Sequence, residues 1–117
     1  MKLGKVLVLE DEPFISLDME EMLLIMGATE IVSLDTRAAA LEWLALNSLD
    51  LAVVDPRLND GLCTDVAERL AERNVPFVVY SGADVEEDAT EAFAPGVWLS
   101  KPTTPEMLLE ALRRLRR

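Results

Sequence analysis

Polar residues in this 117-residue chain follow four short apolar runs, at the points where those runs end. They are an acidic pair after residues 6–9, an aspartate after 51–54, a hydroxyl with a glycine after 77–80 and a lysine just past 97–99: Glu10-Asp11, Asp55, Ser81-Gly82 and Lys101. Three carboxylates that meet at one place cannot all stay ionised without a counter-charge. The chain leaves two candidates for that charge, the Lys101 ammonium and a divalent cation.

The ligand types in this set favour magnesium among the divalent cations. The chain has no histidine, and its one cysteine, Cys63, does not follow an apolar run. Oxygen-only donors select hard cations, and a few carboxylates completed by water suit Mg²⁺. A calcium-binding loop over 55–61 fails, because with Gly61 as its turn glycine the first ligand position is Pro56 and the last is Ala67. The absence of histidine also excludes Ser-His-Asp and Cys-His catalysis.

The elements that must position these residues follow from the pattern of apolar residues. Runs rich in β-branched and aromatic residues predict five strands, at 6–9, 31–34, 51–54, 77–80 and 97–99. Segments of helical period between and after them predict five helices, at 13–26, 36–47, 62–73, 84–93 and 104–116. Alternating strands and helices predict right-handed crossovers and a parallel sheet that helices cover on both faces. In such sheets the ligand site lies beyond the carboxyl ends of the strands, where the polar residues fall.

The same periodicity predicts helix faces and caps. The first helix is expected to begin at Pro13 and to end at Gly27, with an apolar face made by Phe14, Leu17, Met22 and Ile25. Thr36 is the expected cap of the second helix. The apolar residues of the last helix, which are Met107, Leu108, Ala111, Leu112 and Leu115, are interpreted as core, with a partial dimer face as the alternative.

Composition limits the class of protein and its partners. Half of the residues are hydrophobic, which argues against disorder, and the length suits one domain. A net charge of −11 disfavours nucleic-acid binding, and no apolar run is long enough to span a membrane. A single cysteine indicates a reducing, cytoplasmic setting. Four arginines end the chain, at 113, 114, 116 and 117; they either complement the dipole of the last helix or dock an acidic partner.

The joint placement of these residues resembles the receiver domain of bacterial two-component response regulators. That family has an acidic pair after the first strand, a phosphoacceptor aspartate after the third, Ser or Thr after the fourth and Lys-Pro after the fifth. Here these positions read Glu10-Asp11, Asp55, Ser81 and Lys101-Pro102. The resemblance covers essentially the whole chain. It implies an α/β fold, a doubly wound five-stranded parallel sheet in the flavodoxin-like order 2-1-3-4-5, and a single receiver domain over 1–117 without an output domain.

The resemblance also implies a role for each acidic position. Asp55 is expected to accept a phosphoryl group from a phosphohistidine on a sensor histidine kinase or a histidine phosphotransfer protein. Mg²⁺ is expected on Asp11, Asp55 and the backbone carbonyl of Arg57, with Glu10 acting largely through water. The cation would neutralise the carboxylates and the oxygens of the transferring group.

The remaining positions are expected to act on the phosphoryl group. By the same resemblance, Lys101 pairs with Asp55 at rest and with the phosphoryl group afterwards, while the Ser81 hydroxyl and the Gly82 amide donate hydrogen bonds to it. Ser81 and Trp98 occupy switch positions, Trp98 where the family usually has Tyr or Phe. The expected protein is a signalling phosphoacceptor that assists its own phosphorylation and dephosphorylation and is not otherwise an enzyme.

Two other classes of function fit parts of the same pattern. A pseudo-receiver would keep the fold as an interaction module that does not use phosphate. An aspartyl-phosphate hydrolase would carry a second aspartate two positions after the nucleophile, where this chain has Arg57. For the receiver itself, the sequence leaves open an adaptor that binds an unknown downstream protein or a phosphate sink, and a monomer or a weak dimer.

Overall fold

The protein folds as a five-stranded parallel sheet with helices on both faces. The structure is a computed structural model, and it describes residues 2–82 and 91–115. The strands are β1 (Gly4–Leu9), β2 (Ala28–Leu34), β3 (Leu51–Val54), β4 (Arg57–Leu58), β5 (Gly61–Leu62), β6 (Phe77–Ser81) and β7 (Val97–Ser100). The helices are α1 (Pro13–Ile25), α2 (Arg37–Leu46), α3 (Thr64–Glu72) and α4 (Pro105–Leu115). Most of the helix predicted at 84–93 lies outside the described residues, and residues 91–93 are helical. Among the described helices, none has the length and apolar character that crossing a membrane requires.

The strand order of the sheet is β2-β1-β3-β6-β7. With the short antiparallel hairpin β4–β5 set aside, this is the predicted flavodoxin-like order 2-1-3-4-5, and the predicted fold class is confirmed. Leu9 at the end of β1 pairs in register with Leu34 of β2 and with Val54 of β3. Val54 in turn pairs with Val79 of β6. The carboxyl ends of the strands therefore meet at one edge of the sheet.

Apolar side chains of the strands alternate between two cores, one on each face of the sheet. From β1, Leu7 and Leu9 pack with residues of α2 and α3, whereas Val6 and Val8 pack with residues of α1 and α4. Because both faces are covered, the central strands read as continuous apolar runs and not as an alternation of apolar and polar residues.

The apolar face predicted for α1 is wrong, although one of its residues, Met22, is partly buried against the core. Its buried residues are Ser16, Met19 and Leu23. Phe14 and Ile25, which were predicted to belong to the packed face, are 82 % and 85 % exposed. Apolar residues surround most of α1, so periodicity alone does not single out the buried side. The fully buried Met19 and Leu23 lie one turn apart and select the opposite face.

Contacts of Glu20 show how α1 tolerates a serine at its buried face. The Glu20 carboxylate accepts a hydrogen bond from the Ser33 hydroxyl of β2 at 2.8 Å and a longer one from the Ser16 hydroxyl at 3.5 Å. The small Ser16 side chain is 8 % exposed and has an acceptor within its own helix. A buried hydroxyl with a partner avoids most of the cost of burying a polar group.

Close approach of β6 to the start of β7 requires a glycine at position 96. A Cβ atom built on Gly96 would lie 2.5 Å from Cε2 of Phe77 and 2.9 Å from Cγ2 of Val79. Both contacts are shorter than carbon atoms tolerate, and the Phe77 ring is buried and cannot move aside. Gly96 therefore lets β7 pair with β6 and carry Lys101 to the edge of the sheet.

Two side chains cap the N-terminus of α2. Thr36 accepts from the Ala39 amide at 3.1 Å, as predicted. Asp60, from the turn between β4 and β5, accepts from the amides of Arg37 at 2.8 Å and Ala38 at 3.0 Å. Hydrogen bonds from these two amides favour the ionised form and lower the pKa of Asp60.

Replacing Asp60 by asparagine is expected to destabilise the protein at neutral pH. Asparagine keeps one of the two accepting oxygens, but the other becomes an amide nitrogen, which cannot accept from a helix amide. The pKa of Asp60 is lowered on folding from its ordinary value of 3.8, so its contribution is complete above that value and is lost as the pH falls through the folded pKa. The urea midpoint of Asp60→Asn is therefore expected to lie below that of the wild-type protein at about pH 7, and the difference is expected to shrink at an acid pH below 3.8. Asp35→Asn, at an exposed position after β2, is the control. A midpoint difference that is equally large at both pH values would contradict this assignment.

Candidate functional site

Three carboxylates meet where β1 and β3 end. The ladder of backbone hydrogen bonds continues one residue past each strand, since Glu10 N donates to Leu34 O at 3.0 Å and Asp55 N to Leu9 O at 2.9 Å. Glu10 and Asp55 are thus held side by side, and both are buried, with 5 % and 8 % exposure. One carboxylate oxygen each from Glu10, Asp11 and Asp55 lies within 4.8 Å of the others. The convergence expected from neighbouring first and third strands is present.

Lys101 provides the counter-charge for two of these carboxylates. Its Nζ atom lies 2.5 Å from Glu10 Oε1 and 2.8 Å from Asp55 Oδ2. The backbone delivers it there through Ser81 of β6, whose carbonyl accepts from Lys101 N at 3.0 Å. The following bond, Lys101–Pro102, is cis. The lysine side chain is 14 % exposed, so the ion pairs are largely shielded from water.

Burial and ion pairing compete in setting the protonation of this cluster. Burial raises the pKa of Glu10, although the Lys101 ammonium and the Glu12 amide, which donates to Glu10 Oε2 at 3.0 Å, act in the other direction. Burial lowers the pKa of Lys101, but its hydrogen bonds to Asp55 and Glu10 outweigh that effect and the net shift is upward. Lys101 is therefore charged at neutral pH. One ammonium faces three carboxylates, and the ionised cluster retains an excess of negative charge.

The short segment after Asp55 forms the β4–β5 hairpin and points a backbone edge toward the Asp55 carboxylate. Arg57 N donates to Asp55 Oδ1 at 2.9 Å. Cys63 N donates to Pro56 O at 2.9 Å, so the adjacent pair Arg57–Leu62 is a non-hydrogen-bonded position of the antiparallel ladder. At such a position the amide and the carbonyl of a residue both point away from the partner strand. The Arg57 carbonyl thus lies on the same side as the amide that reaches Asp55.

The other predicted site residues lie at the same edge of the sheet or next to it. Ser81 is the last residue of β6 and is half-buried. It pairs in register with Ser100, the residue directly before Lys101. Gly82 follows it, and a Cβ built there would make an ordinary contact of 3.5 Å with the Lys101 side chain. The structure therefore puts the Ser81 and Gly82 positions next to Lys101 and not in a separate loop.

Trp98 lies apart from the carboxylates, on the outer part of β7. It is 39 % exposed and contacts the buried Phe93 ring edge to face, with 6.3 Å between ring centroids. Trp98 and Met107 line a groove of about 390 Å³ between β7 and α4. Met107, which was predicted to face the core, is 45 % exposed, while Leu108 of the same helix is buried as predicted.

Two residues near the site were not identified from the sequence. Asp60 links the hairpin after the acceptor to α2, across 23 positions of sequence. The Tyr80 ring lies beneath the ammonium, with its centroid 5.4 Å from Lys101 Nζ. Tyr80 directly precedes Ser81, and that adjacency was the only available signal, because Tyr80 also reads as an ordinary strand residue.

Comparison with known protein families identifies the class to which the chain belongs. The family described as response regulator receiver domain matches residues 6–113. The chain therefore belongs to this family. A comparison with curated proteins gave no significant match.

Several solved structures are similar to this chain over nearly its whole length. SdrG from Sphingomonas melonis Fr1 is 34 % identical, with 98 % of each chain covered and a TM-score of 0.84. A CheY-like receiver domain protein from Methanospirillum hungatei JF-1 is 22 % identical over 98 % of this chain and 95 % of its own, with a TM-score of 0.82. The receiver domain of the sensor histidine kinase PA1611 from Pseudomonas aeruginosa PAO1, solved with magnesium in its active site cleft, is 20 % identical over 98 % of each chain, with a TM-score of 0.79. At these lower identities the last two support the fold alone.

Replacing Asp11 by asparagine is expected to stabilise the protein in buffer that contains EDTA, because it removes one charge from a cluster with excess negative charge. The expected gain in free energy of unfolding is about 1 kcal/mol, the Coulomb energy of two unit charges about 4 Å apart in water. Urea denaturation measures it, with the exposed Asp35→Asn as the matched control. A loss of stability in Asp11→Asn but not in Asp35→Asn would contradict this prediction, because it would show that other groups offset the charge of Asp11 in the metal-free protein.

Proposed function

We propose that this protein is a phosphoacceptor of two-component signalling. Asp55 takes a phosphoryl group from a phosphohistidine on a sensor histidine kinase or a histidine phosphotransfer protein. A bond forms between an Asp55 carboxylate oxygen and phosphorus, the phosphorus–nitrogen bond of the donor breaks, and the histidine nitrogen keeps the electron pair. The observation that carries the proposal is the position of Asp55, which lies 2.8 Å from Lys101 Nζ within a cluster of three carboxylates.

The residues at this edge of the sheet fit Mg²⁺. Three carboxylate oxygens lie within 4.8 Å of one another, and the Arg57 carbonyl faces the same side of the hairpin as the amide that reaches Asp55. Glu10, Asp11, Asp55 and the Arg57 carbonyl would hold the ion, Glu10 largely through water, since Lys101 occupies one of its oxygens. When bound, the ion supplies positive charge to the carboxylates and to the transferring phosphoryl oxygens.

Lys101, Ser81 and Gly82 act on the phosphoryl group once it is attached to Asp55. Lys101 is charged and already touches Asp55, so a small displacement of its flexible side chain brings the ammonium to a phosphoryl oxygen. The Ser81 hydroxyl and the Gly82 amide donate the remaining hydrogen bonds. Movement of Ser81 toward the phosphoryl group is the proposed switch signal, and Trp98, partly exposed at the groove beside α4, is the proposed reporter on the surface.

The phosphorylated protein signals by contact with another protein or drains phosphate from its kinase. It acts on no separate substrate and assists only its own phosphorylation and dephosphorylation. The strongly acidic surface, with a net charge of −11, disfavours nucleic acid as the partner. The reducing, cytoplasmic setting indicated by the single cysteine and the monomeric or weakly dimeric state stay predictions.

Beryllofluoride with Mg²⁺ imitates an aspartyl phosphate and tests the proposed acceptor directly. It is expected to change the fluorescence of Trp98 or Trp43, and Asp55→Asn is expected to abolish the change while Asp35→Asn retains it. Incubation with acetyl phosphate and Mg²⁺ is expected to add one phosphoryl group, which intact mass spectrometry detects in the wild-type protein and not in Asp55→Asn. If the wild-type protein shows neither the fluorescence change nor the added phosphoryl group, the proposal is overturned in favour of a pseudo-receiver that acts without phosphate.

Exposed apolar residues at the N-terminus of α1, at the same edge of the sheet as Asp55, are expected to contact the phosphoryl donor protein. Phe14, one residue into α1 and 82 % exposed, is the test position. Phe14→Ser is expected to lower kcat/KM for phosphotransfer from the kinase identified by a phosphotransfer profile by about tenfold, the equivalent of about 1.4 kcal/mol of lost contact. Phosphorylation by acetyl phosphate is expected to stay unchanged, because the small donor does not need the surface.

Leu46→Ser is the matched control for this substitution. Leu46 is likewise 82 % exposed, at the end of α2. Equal losses in both variants, or a loss with acetyl phosphate as well, would contradict a docking role for α1.

A further inference from the structure

Tyr80 occupies a position from which it contacts the site without belonging to the carboxylate cluster. It pairs with Leu99 of β7 in the sheet, is 6 % exposed, and packs in the core between the sheet, α1 and α4. Its ring lies 5.4 Å from Lys101 Nζ. Tyr80 and Lys101 also line a cavity of about 230 Å³ beside α1, together with Ile15, Met22 and Pro102.

The ammonium of Lys101 is thus surrounded by groups of different kinds. Glu10 and Asp55 contact it as carboxylates, and the face of the Tyr80 ring contacts it as a neutral partner. An aromatic face attracts a cation, and the attraction is larger where water is excluded, as it is around this lysine. Unlike the carboxylates, the face of the ring carries no anionic oxygen for which a bound cation would compete with the ammonium.

The surroundings of the Tyr80 hydroxyl tie the ring to the segment that carries the lysine. Tyr80, Lys101 and Thr103 line the same cavity. Burial raises the pKa of Tyr80, while a hydrogen bond with the Thr103 backbone and the Lys101 charge lower it. Lys101 and Thr103 flank Pro102, so the ring contacts this segment at both ends. A lysine side chain has four flexible carbons, and its position depends on such neighbours.

We propose that Tyr80 is a positioning residue for Lys101. The proposal rests on the proposed phosphoacceptor function of Asp55. When a phosphoryl group arrives, Lys101 has to exchange a carboxylate for a phosphoryl oxygen, and both carboxylates can be drawn toward a bound cation at the same time. The Tyr80 ring is the contact that this exchange leaves intact. It keeps the ammonium at the acceptor and so sustains the rate of phosphoryl transfer.

The test compares Tyr80→Leu, which removes the aromatic face, with Tyr80→Phe and Tyr80→Trp, which keep it. The readout is the rate constant of phosphorylation by acetyl phosphate with saturating Mg²⁺, followed by tryptophan fluorescence or, for the tryptophan variant, by intact mass. Tyr80→Leu is expected to be slower than wild type by about 2- to 30-fold, the range that corresponds to loss of a cation–π contact. Tyr80→Phe and Tyr80→Trp are expected to stay within about twofold of wild type.

The same substitution in a Lys101→Met background separates positioning from a general structural effect. If Tyr80 acts through the ammonium, Tyr80→Leu has no further effect once the ammonium is gone. An equal loss in both backgrounds, or a wild-type rate for Tyr80→Leu, would overturn the proposal. If thermal denaturation shows that Tyr80→Leu does not fold, the aromatic variants decide. Slow phosphorylation of folded Tyr80→Phe and Tyr80→Trp would also overturn the proposal. Absence of phosphorylation in the wild-type protein itself would overturn the acceptor function first.

Discussion

The ion pairs that Lys101 makes with Glu10 and Asp55 are the interaction on which the rest of the site depends. Two carboxylates at 5 % and 8 % exposure would be costly without a cation, and one ammonium serves both. The three side chains come from the ends of β1, β3 and β7. They meet only because these strands, together with β6 between β3 and β7, pair in parallel and in register. Because one ammonium cannot neutralise three acids, the ionised cluster keeps an excess of negative charge, which suits the proposed Mg²⁺. The same ion pairs therefore serve the stability of the fold and the proposed reaction.

The hairpin after Asp55 connects this site to the helix layer. In its first strand the Arg57 amide donates to the Asp55 carboxylate, and its turn supplies Asp60 to the N-terminus of α2. A segment of only a few residues thus contacts both Asp55 and a helix end. The loop is short, and it folds back on itself as an antiparallel hairpin. That pairing leaves the backbone edge of Arg57 turned toward Asp55.

The surfaces around the site have distinct characters. The edge with the carboxylates is bordered by the N-terminus of α1, where the apolar residue Phe14 is exposed. The groove beside α4 carries the partly exposed Trp98, behind which Phe93 is fully buried. The exposed start of α1 and the groove beside α4 are thus separate surfaces, which suits the proposed exchange of phosphate with one partner and signalling to another.

The sequence by itself determined the elements and the chemistry at their ends. Strand composition, helical period and polar residues after apolar runs are local properties, so the alternating strands and helices, the Thr36 cap and the set Glu10, Asp55 and Lys101 could be predicted. The order of the strands came from the resemblance to a family and not from these local properties. Tertiary structure decided what depends on residues distant in sequence: the Asp60 cap on α2, the Tyr80 ring beneath the ammonium and the buried face of α1. An aspartate, a tyrosine and an apolar helix carry no local mark of their partners. Their roles arise only when the strands are in register, since packing and distance select one partner among many that the sequence allows.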